Sequence, residues 1–273
     1  MGVALEFASN DPMLAELASF ALKLARRARV ETTPRFRSQC RVEDKGSHGN
    51  FDPVTDADRA AEQAMRELIL KSFSTHGIVG EEWPNHPGTG TYIWSLDPID
   101  GTRSFICGLP TWTTLIALLD SDVPVLGLVD APCLDEIYVG VEGGSWLLRG
   151  GAQSEIRTSG CARLAEARLS TTDPALFDRD EAEAFERFRQ QVRTVRYGHD
   201  AYAYARLAAG SLDLIVESGL KPHDYNALIP LVSSAGGTIG DWRGGQDYEG
   251  GKVIAASTRQ LFEKALGYFE ALA

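Results

Sequence analysis

Apolar residues recur at helical spacing near the start of the chain, at Leu14, Leu17, Ala18, Ala21, Leu24, Ala25 and Ala28. Asn10 or Asp11 can cap this segment and Pro12 suits its first turn, so the pattern predicts an amphipathic helix. Residues 36–42 read as a strand, followed by a mobile turn over 44–50. Thr55 or Asp56 can cap a second helix, with Ala60, Ala64, Met65, Leu68 and Ile69 on its apolar face. Strands are predicted at 77–80 and 92–96, which leaves Glu81 and Asp97 just past strand ends, where loops display chemistry. Over 111–141, β-branched and apolar runs are broken by Asp120-Ser121-Asp122 and Pro132-Cys133-Leu134-Asp135, the pattern of a strand meander.

The glycine pairs Gly143-Gly144 and Gly150-Gly151 mark a change of composition, and a soft boundary is placed there, between halves 1–150 and 151–273. Beyond it the pattern predicts strands at 168–171, 193–196 and 212–217 and helices at 181–191 and 201–209. A further helix opens at Asp224 and runs through Leu228 and Val232 to the stop at Gly236-Gly237. Helices alternating with strands argue for an α/β half. Tyr202 and Tyr204 read as packing residues of the helix at 201–209.

At 273 residues, 44% hydrophobic and 24% charged, the chain has the composition of a soluble globular protein with a sizeable core. A formal net charge of -11 without a basic stripe argues against a nucleic-acid partner. No apolar stretch is long and uncharged enough to span a membrane, and no signal peptide is visible. Cys40, Cys107, Cys133 and Cys161 are scattered, which reads as reduced thiols in a cytoplasm; Cys107 reads as a half-buried filler.

The chemistry concentrates in Asp97-Pro98-Ile99-Asp100-Gly101-Thr102. Two carboxylates three residues apart repel each other unless a cation sits between them, and Mg²⁺ prefers oxygen ligands. Pro98 stiffens the segment so that the Ile99 carbonyl can point with both side chains, while the amides of Gly101 and Thr102 offer a seat for an anion. A surface turn of the same composition is the alternative. Glu81 in Gly80-Glu81-Glu82 and Asp224 in Lys221-Pro222-His223-Asp224 extend the set to Glu81, Asp97, Asp100 and Asp224, an oxygen-only group suited to Mg²⁺.

Four segments in order resemble the inositol-monophosphatase family of Mg²⁺-dependent phosphatases: Asp52-Pro53-Val54-Thr55-Asp56-Ala57-Asp58, Gly80-Glu81-Glu82, Asp97 to Thr102, and Glu217 through Asp224 to Ala235-Gly236-Gly237. Gly101-Thr102-Arg103-Ser104-Phe105-Ile106, Leu109 to Leu118 and Gly219 to Tyr225 are similar to its histidinol-phosphate phosphatase branch. The resemblance implies an α/β (α+β) chain folded as a layered αβαβα sandwich, a small phosphate monoester as substrate, two to three Mg²⁺ ions, a cytoplasmic location and a homodimer.

The same resemblance implies the roles. Glu81, Asp97 and the Ile99 carbonyl hold one Mg²⁺, Asp97, Asp100 and Asp224 hold a second, and a weaker third leans on Glu81. Gly101 and Thr102 grip the phosphate. Asp58 and Thr102 correspond to a water-activating pair, with Glu81 sharing the base role; as a bare sequence feature Asp58 is equally a first-turn acid favoured by the helix dipole. Glu217, Arg196 and Asp200 face the leaving group, where carboxylates would pair with an amine or imidazole. His199, His223 and Ser233-Ser234 depart from the family pattern and leave the substrate open among histidinol phosphate, inositol-1-phosphate and sugar phosphates. A catalytically silent, metal-binding regulatory relative is the lesser alternative.

Overall fold

The computed structural model describes residues 11–38, 41–45 and 53–273. Asn10, Cys40, His48, Asp52 and the rest of the expected turn beyond Lys45 lie outside them. Helix α1 (Pro12–Thr32) is capped by Asp11, whose side chain accepts from the Met13 amide, with Pro12 in the first turn as expected. Strands β1 (Val42–Asp44) and β2 (Pro53–Thr55) form a small ladder, and α2 (Asp56–Ser72) follows under a Thr55 cap. Phe36 does not open a strand. It lies in the turn after α1 and packs with Phe105 and Trp112, so its apolarity serves a local aromatic cluster.

Strands β3 (Gly77–Gly80) and β4 (Tyr92–Asp100) begin the larger sheet, and the short helix α3 (Thr102–Ile106) follows. The meander then runs β5 (Thr113–Asp120), β6 (Val123–Ala131), β7 (Glu136–Val141), β8 (Gly144–Arg149) and β9 (Ala152–Ile156). These seven strands pair in chain order, β3 with β4 in parallel and the rest antiparallel. The glycine pairs at 143–144 and 150–151 are therefore hairpin turns within this sheet, which ends only at Ile156.

The second sheet has the order β11-β10-β12-β14-β13. Its elements are β10 (Arg168–Thr171), α4 (Arg179–Arg189), β11 (Thr194–Tyr197), α5 (Asp200–Ala208), β12 (Leu214–Glu217), α6 (Pro222–Tyr225), α7 (Leu228–Ser234), β13 (Thr238–Asp241), β14 (Val253–Ala256) and α8 (Arg259–Phe269). The helix expected to run unbroken from Asp224 is two helices. Pro230 can give no amide to the Asn226 carbonyl four residues back, and the turn residues Asn226 and Ala227 separate the two helices.

Three buried clusters define the layers. α1 and α2 cover one face of the seven-stranded sheet. α5 and α7 lie between the sheets, and α4 and α8 close the far face of the second sheet. This is the αβαβα sandwich. α7 sits directly on the larger sheet: a Cβ on Gly127 would come 1.9 Å from the Ala227 carbonyl oxygen, and one on Gly140 would come 2.3 Å from the Leu231 Cα. That close approach fixes the depth at which the preceding turn of chain, with Asp224, enters the molecule.

Candidate active site

Residues three apart on a regular strand point to opposite faces. Asp97 pairs with Leu115 and Asp100 with Thr113, three steps on β4 against two on β5. The extra residue is a bulge at Pro98-Ile99, which tolerates a proline and turns both carboxylates to one side. The Asp97 side chain accepts from the Ile99 amide at 3.0 Å, and Thr114 donates to the Pro98 carbonyl at 2.8 Å. Asp97 was expected just past the strand; it is within it, at the bulge.

Asp224 comes from the other half of the chain. At the third position of α6 it accepts from the Lys221 amide at 2.7 Å, while Asn226 ties the helix end to Ser95 of β4 at 3.1 Å. One carboxylate oxygen each from Asp97, Asp100 and Asp224 lies within 4.8 Å of the others. Burial raises all three carboxyls above the usual range; for Asp97 the charges of Glu81, Asp100 and Asp224 add to it, and for Asp100 those of Asp200 and Asp224. An oxygen-only trio of like charge, Asp97 buried and Asp100 and Asp224 half-buried, suits a hard divalent cation.

Glu81 stands beside the trio on a loop held from α2. Glu62 accepts from the Glu82 and Trp83 amides at 2.8 and 3.2 Å, and Arg66 donates to the Trp83 and Pro84 carbonyls at 3.0 Å each. Lys45 lies 2.9 Å from Glu81 and 2.6 Å from Glu82.

Asp58 and Thr102 are not joined. Asp58 closes the capping box of α2, accepting from the Thr55 amide at 2.9 Å and hydroxyl at 2.5 Å. Its other oxygen is buried without a hydrogen-bond partner among the described residues, and burial, outweighing the Thr55 bonds, pushes its pKa up to about 7. Thr102 instead donates to the Ile99 carbonyl at 3.0 Å, so that carbonyl is engaged within its own turn.

Beyond the acids lies a cavity of about 290 Å³ lined by Gly101, Thr102, Asp200, Tyr204, Glu217 and Asp224, among others. Gly101 is left-handed at φ 77°, and a Cβ there would come 2.8 Å from Asp200. α5 delivers the Ala201 amide to Asp100 at 2.8 Å. Glu217, at the end of β12, is cradled by the Thr172 amide and hydroxyl at 2.8 and 3.0 Å and by the Thr171 hydroxyl at 3.3 Å. Burial still wins over these bonds and pushes its pKa up to about 8.

Arg196 is not brought to this site: it is exposed on edge strand β11 and is absent from the cavity lining. His199 precedes α5, and its Nδ1 is buried without a partner among the described residues. His223 lies 3.5 Å from Asp224. Cys107, expected to be half-buried, is exposed. Sequence reasoning missed the Thr171-Thr172 cradle, which no local pattern announces. Tyr204, read as packing, is packed in the core between the sheets and also lines the cavity.

The family model of inositol monophosphatases matches residues 13–272. The chain belongs to the inositol monophosphatase family. It is a phosphatase of phosphate monoesters, and the family is metal-dependent. Among its relatives is the bifunctional phosphatase IMPL2, chloroplastic, of Arabidopsis thaliana, 46% identical over 77% of this chain and 59% of that longer protein. A histidinol-phosphatase of Mycobacterium tuberculosis is 34% identical over 87% of this chain and 92% of its own. The solved structure of an inositol monophosphatase from Zymomonas mobilis superposes with a TM-score of 0.81 at 39% identity, covering 93% of this chain and 98% of that one. No described helix is long and apolar enough to cross a membrane.

Proposed function

We propose that this phosphatase hydrolyses histidinol phosphate, using Mg²⁺ at the Asp97, Asp100 and Asp224 oxygens. The observation that carries the substrate is the lining of the cavity. Half-buried Asp200 and buried Glu217 line it together with Asp100 and Asp224, in the space a leaving group would take. An amine or imidazolium there draws both carboxyls into their charged form and pairs with them, whereas a neutral polyol leaves Glu217, with its pKa of about 8, holding its proton. The similarity to the mycobacterial histidinol-phosphatase supports the same reading.

Bound Mg²⁺ supplies charge neutralisation at the phosphate oxygens and acidifies a water. Asp97, Asp100, Asp224 and Glu81 would hold two to three ions. The chain's residues do the rest. Asp58, with one oxygen uncommitted, takes the proton of the attacking water, and Thr102 and the Gly101 amide orient the phosphate. The bulge at Pro98-Ile99 keeps Asp97 and Asp100 on one side, so the ligands need not reorganise. Arg196 is left out of the substrate set in this reading.

Phosphate release from a panel with Mg²⁺ present tests it. A kcat/KM clearly higher for histidinol phosphate than for inositol-1-phosphate or glycerol phosphate is expected. A clear preference for inositol-1-phosphate would overturn the substrate and favour the second reading, a broad inositol or sugar monophosphatase, which the likeness to the Zymomonas structure supports.

A further inference from the structure

The segment from Thr172 to Phe177 is fixed at both ends. Thr172 holds Glu217 through its amide and hydroxyl, and its own carbonyl accepts from the Gly198 amide at 2.8 Å. Asp173 caps the short turn Pro174–Leu176, its side chain accepting from the Ala175 amide at 2.9 Å and its carbonyl from the Leu176 amide at 3.0 Å. Phe177 is buried with Phe185 and Trp242, its ring 4.9 and 6.4 Å from theirs. Between these anchors Leu176 stays 47% exposed and lines the 290 Å³ cavity together with Thr172 and Glu217. Single exposed apolar side chains are ordinary on a protein surface. Among the exposed large apolar side chains of the described residues, however, Leu176 is the one that lines this cavity.

The anchors keep Leu176 from turning into the core with Phe177, so apolar surface brought by a ligand is what covers it. Covering it removes apolar area from water, a gain that a polyol, with hydroxyls on every face, forgoes. We propose that Leu176 is a specificity-determining residue that packs against an apolar face, a ring or hydrocarbon chain, of the leaving alcohol. This deepens the reading that the cavity receives the leaving group and rests on it. In that reading the metal acids, Gly101 and Thr102 take the phosphate, which leaves Leu176 for the alcohol. With Asp200 and Glu217 in the same lining, the alcohol it selects is two-sided, apolar towards Leu176 and polar or cationic towards the acids.

The test is Leu176→Ala in the full chain with Mg²⁺ present, assayed on phenethyl phosphate and glycerol phosphate, each kcat/KM being compared with wild type. Both are alkyl monoesters, and they differ in whether the alcohol carries an apolar ring or hydroxyls. The kcat/KM for phenethyl phosphate should fall roughly tenfold, while that for glycerol phosphate should change less than about twofold. The melting temperature should hold, because the side chain shortened is an exposed one. Leu176→Met keeps the apolar bulk and should retain its activity on phenethyl phosphate within about twofold. Leu70→Ala is the control: its side chain is 39% exposed on α2 and outside the cavity lining, and neither substrate should notice. Equal losses on both substrates, or no loss on either, would overturn the assignment, as would a loss in Leu176→Met equal to that in Leu176→Ala. A selective loss in Glu217→Gln with none in Leu176→Ala would keep the cavity as the leaving-group site and remove Leu176 from it. If the wild type prefers inositol-1-phosphate, the histidinol reading fails while the comparison of phenethyl with glycerol phosphate still decides Leu176.

Discussion

Asp97, at the bulge within β4, and Asp241, the last residue of β13, are almost equally buried, at 2% and 5% exposure, yet their carboxyls move in opposite directions. Burial alone would raise both. At the end of β13 the chain turns back so that the Arg243, Gly245 and Asp247 amides reach Asp241 at 2.7, 2.9 and 2.8 Å, and these bonds carry its pKa below the usual range. Within β4 the bulge gives Asp97 one such amide, and the groups that act on it most, Glu81, Asp100 and Asp224, share its sign. The first acid is complete within the protein. The second has no such set of donors, and that difference, rather than burial or position, is what the proposed Mg²⁺ site rests on.

Removing the charge from each acid should break the two regions in different ways. Asp97→Asn should lower Mg²⁺-dependent kcat/KM roughly a thousandfold, about 4 kcal/mol, since even outer partners of metal ligands typically cost ten- to a hundredfold. The metal-free variant should melt at or above the wild-type temperature, because a repulsion is relieved. Activity within tenfold of wild type would contradict this. Asp241→Ala should do the reverse. It strands three amides, at about 3 kcal/mol, or a fall of roughly 6–12 °C in melting temperature, with kcat per folded molecule unchanged within about twofold.

Glu217 stands between these extremes, with three hydrogen bonds and still a raised pKa. Glu217→Gln should cost roughly ten- to a hundredfold in kcat/KM on histidinol phosphate, the worth of a charge-assisted bond of about 1.5–3 kcal/mol. Glycerol phosphate should notice little. Equal losses on both would move Glu217 out of the leaving-group wall.

The last effect is on pH dependence. The Glu217 pKa rises from 4.5 to about 8 on folding, so the folded chain binds this proton more tightly than the unfolded chain. Its contribution to stability is therefore present below pH ~4.5 and is lost as pH rises towards ~8. The melting temperature of the metal-free protein should decline across that window, and less steeply in Glu217→Gln, which has no proton to lose. Identical slopes would count against the raised pKa.

The convergence of Asp97, Asp100 and Asp224 was legible in the sequence because its signals are local: a proline between two aspartates, a glycine-threonine after them, and a capped turn at Asp224. The layered fold was legible for the same reason, through periodicity and turn residues. What escaped were features made by distant partners or by a missing donor. The break between α6 and α7 follows from Pro230 acting on a carbonyl four residues back. The hairpin β8–β9 continues a sheet across glycines that looked like a seam. Thr171-Thr172 reach Glu217 only because β10 and β12 are neighbours in the sheet. Arg196, placed at the leaving group by resemblance, is exposed on an edge strand and outside the cavity lining.

Calorimetric titration of the chelated protein with Mg²⁺ tests the central claim most directly. Wild type and Asp241→Ala should both bind, and Asp97→Asn should bind at least tenfold more weakly or not at all. Equal Mg²⁺ affinity in wild type and Asp97→Asn, or no binding by wild type, would contradict the account.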